Sequence, residues 1–253
     1  MGVVIIFSST VAYGNLQCEG LFLEPTHLTD IDIPLLQAAK SHVEPLTMKD
    51  VFRENLELIA THSEYIPSSS SKRAKGIDSA QGQKIIEAVA RSPFLGTDPV
   101  LYQRPQTEIG YCFGRATFIH LMLLRLGVQK ESIKKIWIVG PMKIPGTNLI
   151  WDYHVATMVF SEKQGWMVLD SNIGRPVTID NWFSNYYHMS VDRRAKLFVT
   201  DASKFAPDLG KYDRVQLGLN MSREQDWYQH YFKDLMRYVG QKPLSDFGLK
   251  SIK

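Results

Sequence analysis

The feature that most constrains this chain is a helix start that carries one of its two cysteines. The stretch Gly110-Tyr111-Cys112-Phe113-Gly114-Arg115-Ala116 opens an apolar segment that reaches Leu126 and predicts a buried helix. A thiol at this position is close to the unpaired N–H groups and the positive end of the helix dipole, which favour the thiolate. A cysteine in an apolar helix is usually a small core residue, so the helix position alone leaves both interpretations open.

The segments after this helix predict an antiparallel sheet. Strand-like runs cover 133–139, 153–160, 165–169 and 196–200, with a hairpin connection at 161–164 and a helix at 179–187. One helix followed mainly by antiparallel strands predicts an α+β fold in which the helix packs on the sheet. A capped amphipathic helix is predicted from Ser222 onward.

Two further residues complete a candidate catalytic set with Cys112. His154 lies inside a predicted strand, and Asp170 ends the next strand of the same hairpin. An imidazole can activate a thiol, and a carboxylate at the neighbouring strand end can orient that imidazole and stabilise its charged form. Taken singly, such a histidine or aspartate is more often structural. The order and spacing of all three residues predict that they act together.

Composition argues against several other function classes. The excess of 29 Lys and Arg over 26 Asp and Glu is too small to predict nucleic-acid binding, and no apolar run is long enough to span a bilayer. The histidines form no His-Glu-x-x-His pattern, Cys18 and Cys112 are not spaced as metal ligands, and no glycine-rich phosphate loop occurs. We therefore expect no metal, no cofactor, no nucleic-acid partner and no membrane partner. The sequence leaves the oligomeric state open.

The part of the chain before residue 80 divides into three segments. Residues 1–14 resemble a secretory signal, because an apolar run precedes small residues, although the usual basic start is missing. Residues 15–71 contain two predicted helices, at 33–42 and from Thr47, where a capping-box pattern begins. Four serines followed by basic residues predict an exposed linker at 72–79. Segment 15–71 is either an inhibitory pro-region or a permanent extension of a catalytic domain at 80–253.

Three blocks of sequence around the candidate residues resemble the bacterial protein-glutaminase family, which is related to transglutaminases and papain-like cysteine hydrolases. They read Tyr-Cys-Phe-Gly-Arg-Ala at 111–116, Trp-Asp-Tyr-His-Val-Ala at 151–156 and Val-Leu-Asp-Ser at 168–171, followed by Pro176, Val177 and Trp182. The similarity covers residues 105–185. Phe113-Gly114 replace the family's Tyr-Ala, Ser171 replaces a proline, and the family's disulfides are absent.

The resemblance implies a fold and an activity. The fold is a papain-like, transglutaminase-like core, and the activity is deamidation of accessible glutamine side chains in proteins or peptides, with ammonia released through a thioester. Cys112 would be the nucleophile, His154 the acid and base, and Asp170 the orienting residue. Members of this family are secreted with an inhibitory pro-segment. We therefore expect a protein that is exported, with delivery to a host cell as one route.

The substrate side of the site rests on fewer signals. The backbone N–H of Cys112 is expected to be one oxyanion donor, and Gln106 is a candidate for the second, although a plain loop glutamine fits equally well. Tyr111, Trp151 and Tyr153 are candidate substrate-binding residues, although strand aromatics are more often core residues.

Three alternative functions share these residues. A transglutaminase passes the acyl group to an amine, and a cysteine peptidase attacks a backbone amide, so the same three residues serve both reactions. A protein-binding module that keeps only the fold would not need all three residues, and their joint presence disfavours it.

Overall fold

The computed structural model describes residues 41–68, 76–93, 95, 112–146, 150–204 and 234–252. The predicted signal at 1–14, most of the predicted helix at 33–42, linker residues 72–75 and the helix start at Ser222 lie outside these residues. Residues 41–43 are helical and form the end of the predicted helix at 33–42.

The described part of the chain contains five α-helices of eight residues or more, and those predicted from Thr47, from Cys112 and at 179–187 are confirmed. They are α1 (Met48–Glu64), α2 (Ser79–Ala90), α3 (Cys112–Leu126), α4 (Ile179–Tyr187) and α5 (234–241). The predicted capping box at Thr47 is confirmed, since its side chain accepts from the N–H of Asp50 and the Asp50 side chain accepts from the N–H of Thr47. Among the described residues, no helix is long and apolar enough to cross a bilayer.

The strands form one antiparallel sheet, as predicted for an α+β fold. They are β1 (Ile133–Lys143), β2 (Ile150–Ser161), β3 (Gly165–Leu169), β4 (Val177–Thr178) and β5 (Lys196–Asp201), in the order β4-β3-β2-β1-β5. β1 and β2 run further than predicted, because pairing resumes beyond an irregularity between Val139 and Met142. The Gly140-Pro141 pair, which reads as a turn, is absorbed by this bulge.

Each face of the sheet is covered by its own core. α2, α3 and α5 pack on one face, where Val155 and Val159 of β2 point. α1 and α4 pack on the other face, against Ala156 and Met158 of the same strand. This alternation follows the two-residue period of a strand that is buried on both sides. The Thr157 hydroxyl donates to the Ala116 carbonyl at 2.7 Å and ties α3 to β2.

Helix α1 is joined to the edge strand β5 by polar contacts. The buried Asn55 side chain donates to the Ala195 carbonyl at 2.9 Å and accepts from the Leu197 N–H at 2.8 Å. Glu54 pairs with the Lys196 ammonium at 3.2 Å. Asn55 thus occupies backbone groups that an edge strand would otherwise leave unpaired.

The described end of the predicted exposed linker is packed rather than exposed. Ile77 is only 4% exposed, and its N–H donates to the Phe160 carbonyl at 3.3 Å. A Cβ on Gly76 would lie 1.8 Å from that same carbonyl oxygen, so the close approach requires glycine. Ile77 attaches the chain to the end of β2 through this hydrogen bond to Phe160 and its buried apolar side chain. Its serine and basic neighbours in the sequence instead favour an exposed linker.

We predict that Asn55→Ala lowers the free energy of unfolding by about 2–4 kcal/mol, because two buried backbone groups lose their partner. Urea unfolding followed by circular dichroism measures this. The matched control is Asn185→Ala, whose exposed amide donates within α4 to Asn181. A loss below about 1 kcal/mol for Asn55→Ala would contradict a stabilising role of the Asn55 hydrogen bonds to the backbone of Ala195 and Leu197.

Candidate active site

Three elements bring the predicted residues to one end of the sheet. Cys112 is the first residue of α3, His154 lies in β2, and Asp170 directly follows β3. Pairing of β2 with β3 starts at Thr157 opposite Leu169, so β3 ends before it reaches His154. Asp170 therefore lies beside His154 rather than within the ladder, and its Oδ2 atom is 2.7 Å from His154 Nε2.

The Asp170 carboxylate accepts four hydrogen bonds. Oδ2 accepts from His154 Nε2, from Trp182 Nε1 at 2.8 Å and from the Tyr186 hydroxyl at 2.8 Å. Oδ1 accepts from the backbone N–H of Asn172 at 2.9 Å. Burial alone raises the pKa of Asp170, but the His154 charge and the hydrogen-bond donors outweigh burial and hold the pKa well below its usual range. Asp170 is thus a fixed buried anion.

His154 lies among aromatic rings and is fully buried. The Tyr186 ring lies 4.3 Å from the imidazole, and the rings of Trp151 and Trp182 are stacked on it at 6.0 and 5.8 Å. Such packing fixes the plane of the imidazole and excludes water from its faces.

The protonated form of His154 is favoured. Burial lowers the pKa of this imidazole, but the charge and hydrogen bond of Asp170, together with the Cys112 thiol, raise it to about 9. Nε2 is hydrogen-bonded to Asp170. Nδ1 is buried and has no hydrogen-bond partner among the described residues. Nδ1 is thus the nitrogen left to interact with Cys112.

The environment of Cys112 favours the thiolate. Burial raises the pKa of this thiol, but the interaction with His154, the charge of Arg115 and the backbone N–H of Val155 together lower it. Val155 offers its N–H where β2 has no β3 neighbour. Arg115, one turn along α3, is itself buried. The same surroundings thus lower the pKa of the Cys112 thiol and raise the pKa of the His154 imidazole, so both charged forms are stabilised relative to the free side chains.

The candidate substrate-binding residues are distributed differently. Trp151 lies at the site, where it stacks on His154. Tyr153 points to the opposite face of β2 and packs on Trp137 with ring centroids 5.9 Å apart, next to the core that contains Cys112. Gln106 and Tyr111 lie outside the described residues, and their roles stay predictions.

Sequence reasoning missed the groups that hold Asp170. Trp182 and Tyr186 are one turn apart on the buried face of α4. Two aromatic side chains that each carry a hydrogen-bond donor, at this spacing, are the sequence signal for a buried acceptor. In the sequence, Trp182 stands out only through the family resemblance. The N–H of Asn172 carries no sequence signal, since its role arises from the turn after β3. Within the described part of the chain, no group of three or more His, Cys, Asp or Glu is placed to hold a metal ion.

Fold and site together define an α+β protein with a buried Cys–His–Asp arrangement of a kind suited to nucleophilic catalysis. Residues 87–186 match the model of a family described as glutaminase. This range contains all three residues of the arrangement, together with Trp182 and Tyr186. The similarity to a glutaminase family that the sequence motifs predict is confirmed for residues 87–186. The sequence has no significant match among the curated proteins.

Several solved structures are similar to the chain, among them three of protein-glutaminase or its pro-form. The NMR structure of protein-glutaminase from Chryseobacterium proteolyticum is 16% identical with a TM-score of 0.38, covering 54% of this chain and 77% of that one. The crystal structure of a pro-protein-glutaminase is 14% identical with a TM-score of 0.42, and the match covers 78% of this chain and 71% of that one. The crystal structure of the A47Q2 mutant of pro-protein-glutaminase is 17% identical with a TM-score of 0.42, and the match covers 65% of this chain and 63% of that one.

We predict that Asp170→Asn destabilises the protein by on the order of 3–5 kcal/mol, because it leaves a buried imidazolium without its counter-ion. The folded pKa of His154 is raised to about 9 from an ordinary 6.5. The stability from protonating His154 is therefore complete below pH 6.5 and is lost as the pH rises through 9.

Urea unfolding of both proteins at pH 5.5, 7.5 and 9.5 tests this prediction. The difference in the free energy of unfolding between wild type and Asp170→Asn should be largest at the lowest of these pH values and smallest at the highest. Asp180→Asn, an exposed change on α4, is the control and should show no such trend. A difference for Asp170→Asn that does not vary with pH would contradict the ion pair.

Proposed function

We propose that this protein deamidates glutamine side chains of proteins or peptides and releases ammonia through a Cys112 thioester. The observation that carries the proposal is that the buried His154 is hydrogen-bonded to Asp170 through Nε2 and interacts with the Cys112 thiol. This arrangement lies inside the range that matches the glutaminase family. The names of the similar structures agree with a protein substrate.

The first half of the reaction forms the thioester. The Cys112 thiolate attacks the carboxamide carbon, and the electron pair of the carbonyl moves to oxygen. When the tetrahedral intermediate collapses, the imidazolium of His154 gives a proton to the departing nitrogen, which leaves as ammonia. Cys112 is the first residue of α3, so its backbone N–H has no acceptor within the helix and is available for the oxyanion.

The second half hydrolyses the thioester. Neutral His154 takes a proton from water, whose oxygen attacks the acyl carbon. Collapse releases glutamate and restores the thiolate beside an imidazolium. Asp170 stays ionised throughout and stabilises the imidazolium, while its other three donors keep the carboxylate in one orientation.

We further propose export, with residues 1–14 as the signal, and a catalytic domain that includes α1. The buried contacts of Asn55 with the backbone of β5 support permanent attachment of residues 41–68. An inhibitory role would then belong to other parts of segment 15–71.

We predict that Cys112→Ala abolishes ammonia release from a glutamine-containing protein. Without the thiolate no thioester forms, so we expect at least a 10³-fold loss of kcat, as for removal of a nucleophile elsewhere. The matched control is Cys18→Ala, which removes the other cysteine and should keep wild-type activity.

Mass spectrometry of the substrate protein also distinguishes the alternative functions. Deamidation adds about one dalton per site, whereas cross-linked products indicate transglutamination and shorter products indicate a peptidase. Unchanged ammonia release by Cys112→Ala would refute the nucleophile, and an unmodified substrate would refute the reaction.

A further inference from the structure

A cavity lined by basic residues lies at the end of β1, the strand that pairs with the His154 strand β2. It has a volume of about 420 Å³ and is lined by residues from the end of β1 and from the segment after α4: Lys143, Ile144, Pro145, Gly146, His188, Met189, Ser190, Val191 and Arg193. Three of these side chains are basic and none is acidic. In the described part of the chain, Lys143, His188 and Arg193 form no ion pair.

The cavity walls are held by backbone contacts. The N–H of Lys143 donates to the Met189 carbonyl at 2.8 Å, and the N–H of Val191 donates to the Pro141 carbonyl at 2.9 Å. The Ser190 hydroxyl accepts from the N–H groups of Arg194 and Ala195, each at 3.1 Å. These contacts join the end of β1 to segment 188–195, so the basic side chains project from a fixed framework.

Arg193 is held in an unusual backbone conformation. It has φ of 57° and is the only non-glycine residue with positive φ in the part of the chain that the structure describes. The Tyr187 hydroxyl donates to the Arg193 carbonyl at 2.6 Å and supports this conformation. Strained residues of this kind persist only where the surroundings enforce them, and they concentrate at functional sites.

Two carboxylates neighbour the cavity residues in the chain: Asp192, which is hydrogen-bonded within its own segment, and Asp152, which is exposed on β2 between Ile150 and His154. Asp192 accepts from the N–H of Arg194 at 3.0 Å and from the Ser190 hydroxyl at 3.3 Å. The carbonyls of Tyr186 and Tyr187, at the end of α4, accept from the N–H groups of Met189 and Ser190. Hydrogen bonds from neutral donors leave the charge of Asp192 in place, and the two charges of Lys143 and Arg193 exceed it by one at the cavity.

Two elements connect the cavity to the candidate catalytic residues. Lys143 pairs with Ile150 on β2, four residues before His154, which corresponds to about 13 Å along the strand. His188 follows Tyr186 by two residues on the chain, and Tyr186 contacts both Asp170 and His154. Exposed Ile150 and Val191 add apolar surface near the basic groups.

We propose that this cavity is a docking site for an acidic segment of the protein substrate, four to six residues from the glutamine that reacts. The inference rests on the proposed function for the identity of the reacting residue. Carboxylates of the substrate segment pair with Lys143 and Arg193, and its apolar side chains contact Ile150 and Val191. The charge of the cavity predicts a preference for acidic segments, and its spacing from His154 predicts the separation of that segment from the reacting glutamine.

Paired peptides test the proposal. Each unstructured peptide carries one glutamine, with three glutamates or three serines at four to six residues from it, on either side. The double variant Lys143→Glu/Arg193→Asn reverses one charge and removes another, and asparagine tolerates the positive φ. Lys163→Glu, in the turn that follows β2, is the control for a charge reversal away from the cavity.

The measured quantity is the KM of the serine peptide divided by the KM of the glutamate peptide. We expect the wild-type ratio to exceed one, and the double variant to lower it about three- to tenfold, as expected for two exposed charge pairs. Lys163→Glu should keep the wild-type ratio, and 0.5 M salt should weaken the preference because exposed pairs are screened. An equal effect of Lys163→Glu, or no change in the double variant, would overturn the proposal.

Binding separates failure of the docking site from failure of the proposed reaction. Fluorescence anisotropy of the labelled peptides with Cys112→Ala protein needs no catalysis and should show tighter binding of the glutamate peptide. If neither peptide releases ammonia, the proposed function fails, and the anisotropy result alone decides the docking site. Equal binding of both peptides would overturn the assignment to an acidic peptide segment. So would displacement of the labelled glutamate peptide by an oligonucleotide of the same charge as effectively as by the unlabelled glutamate peptide.

Discussion

The interaction on which the site depends is the ion pair between Asp170 and His154. Both groups are buried, and a buried ion pair is favourable only when the remaining hydrogen-bonding capacity of each partner is met. Trp182, Tyr186 and the N–H of Asn172 meet that need for Asp170. The carboxylate can then raise the pKa of His154 to about 9, which leaves a charged imidazole next to the Cys112 thiol. In the proposed function, activation of the thiol would therefore depend on Trp182, Tyr186 and Asn172, which hold the carboxylate behind the histidine.

The rest of the fold places these groups from both sides of the sheet. α3 brings Cys112 to the open edge of β2 on one face, and α4 brings Trp182 and Tyr186 on the other. α1 supports α4, since the Phe52 ring packs on Phe183 at 6.0 Å. The early end of β3 is equally important, because a longer strand would cover the β2 edge at which Val155 donates towards the thiol.

The sequence predicted most of the described helices and strands, because each of them has a local signal. The capping box at Thr47, the apolar run after Cys112 and the hairpin around 161–164 all depend on neighbours in the chain. The contacts that hold the site together are between distant segments, such as Asn55 with β5 and Tyr186 with Asp170, and they leave no local pattern. The buried Ile77 was missed for the opposite reason, since its serine and basic neighbours dominated the interpretation of the segment.

The most direct test of this account is the protonation state of His154, measured by NMR titration of the labelled imidazole in the wild-type protein. The account predicts an imidazolium at pH 7, with both ring nitrogens protonated and a midpoint near pH 9. A neutral ring at pH 7, with a midpoint near the ordinary value of about 6.5, would contradict it. In that case Asp170 would not stabilise the charged histidine on which activation of Cys112 depends.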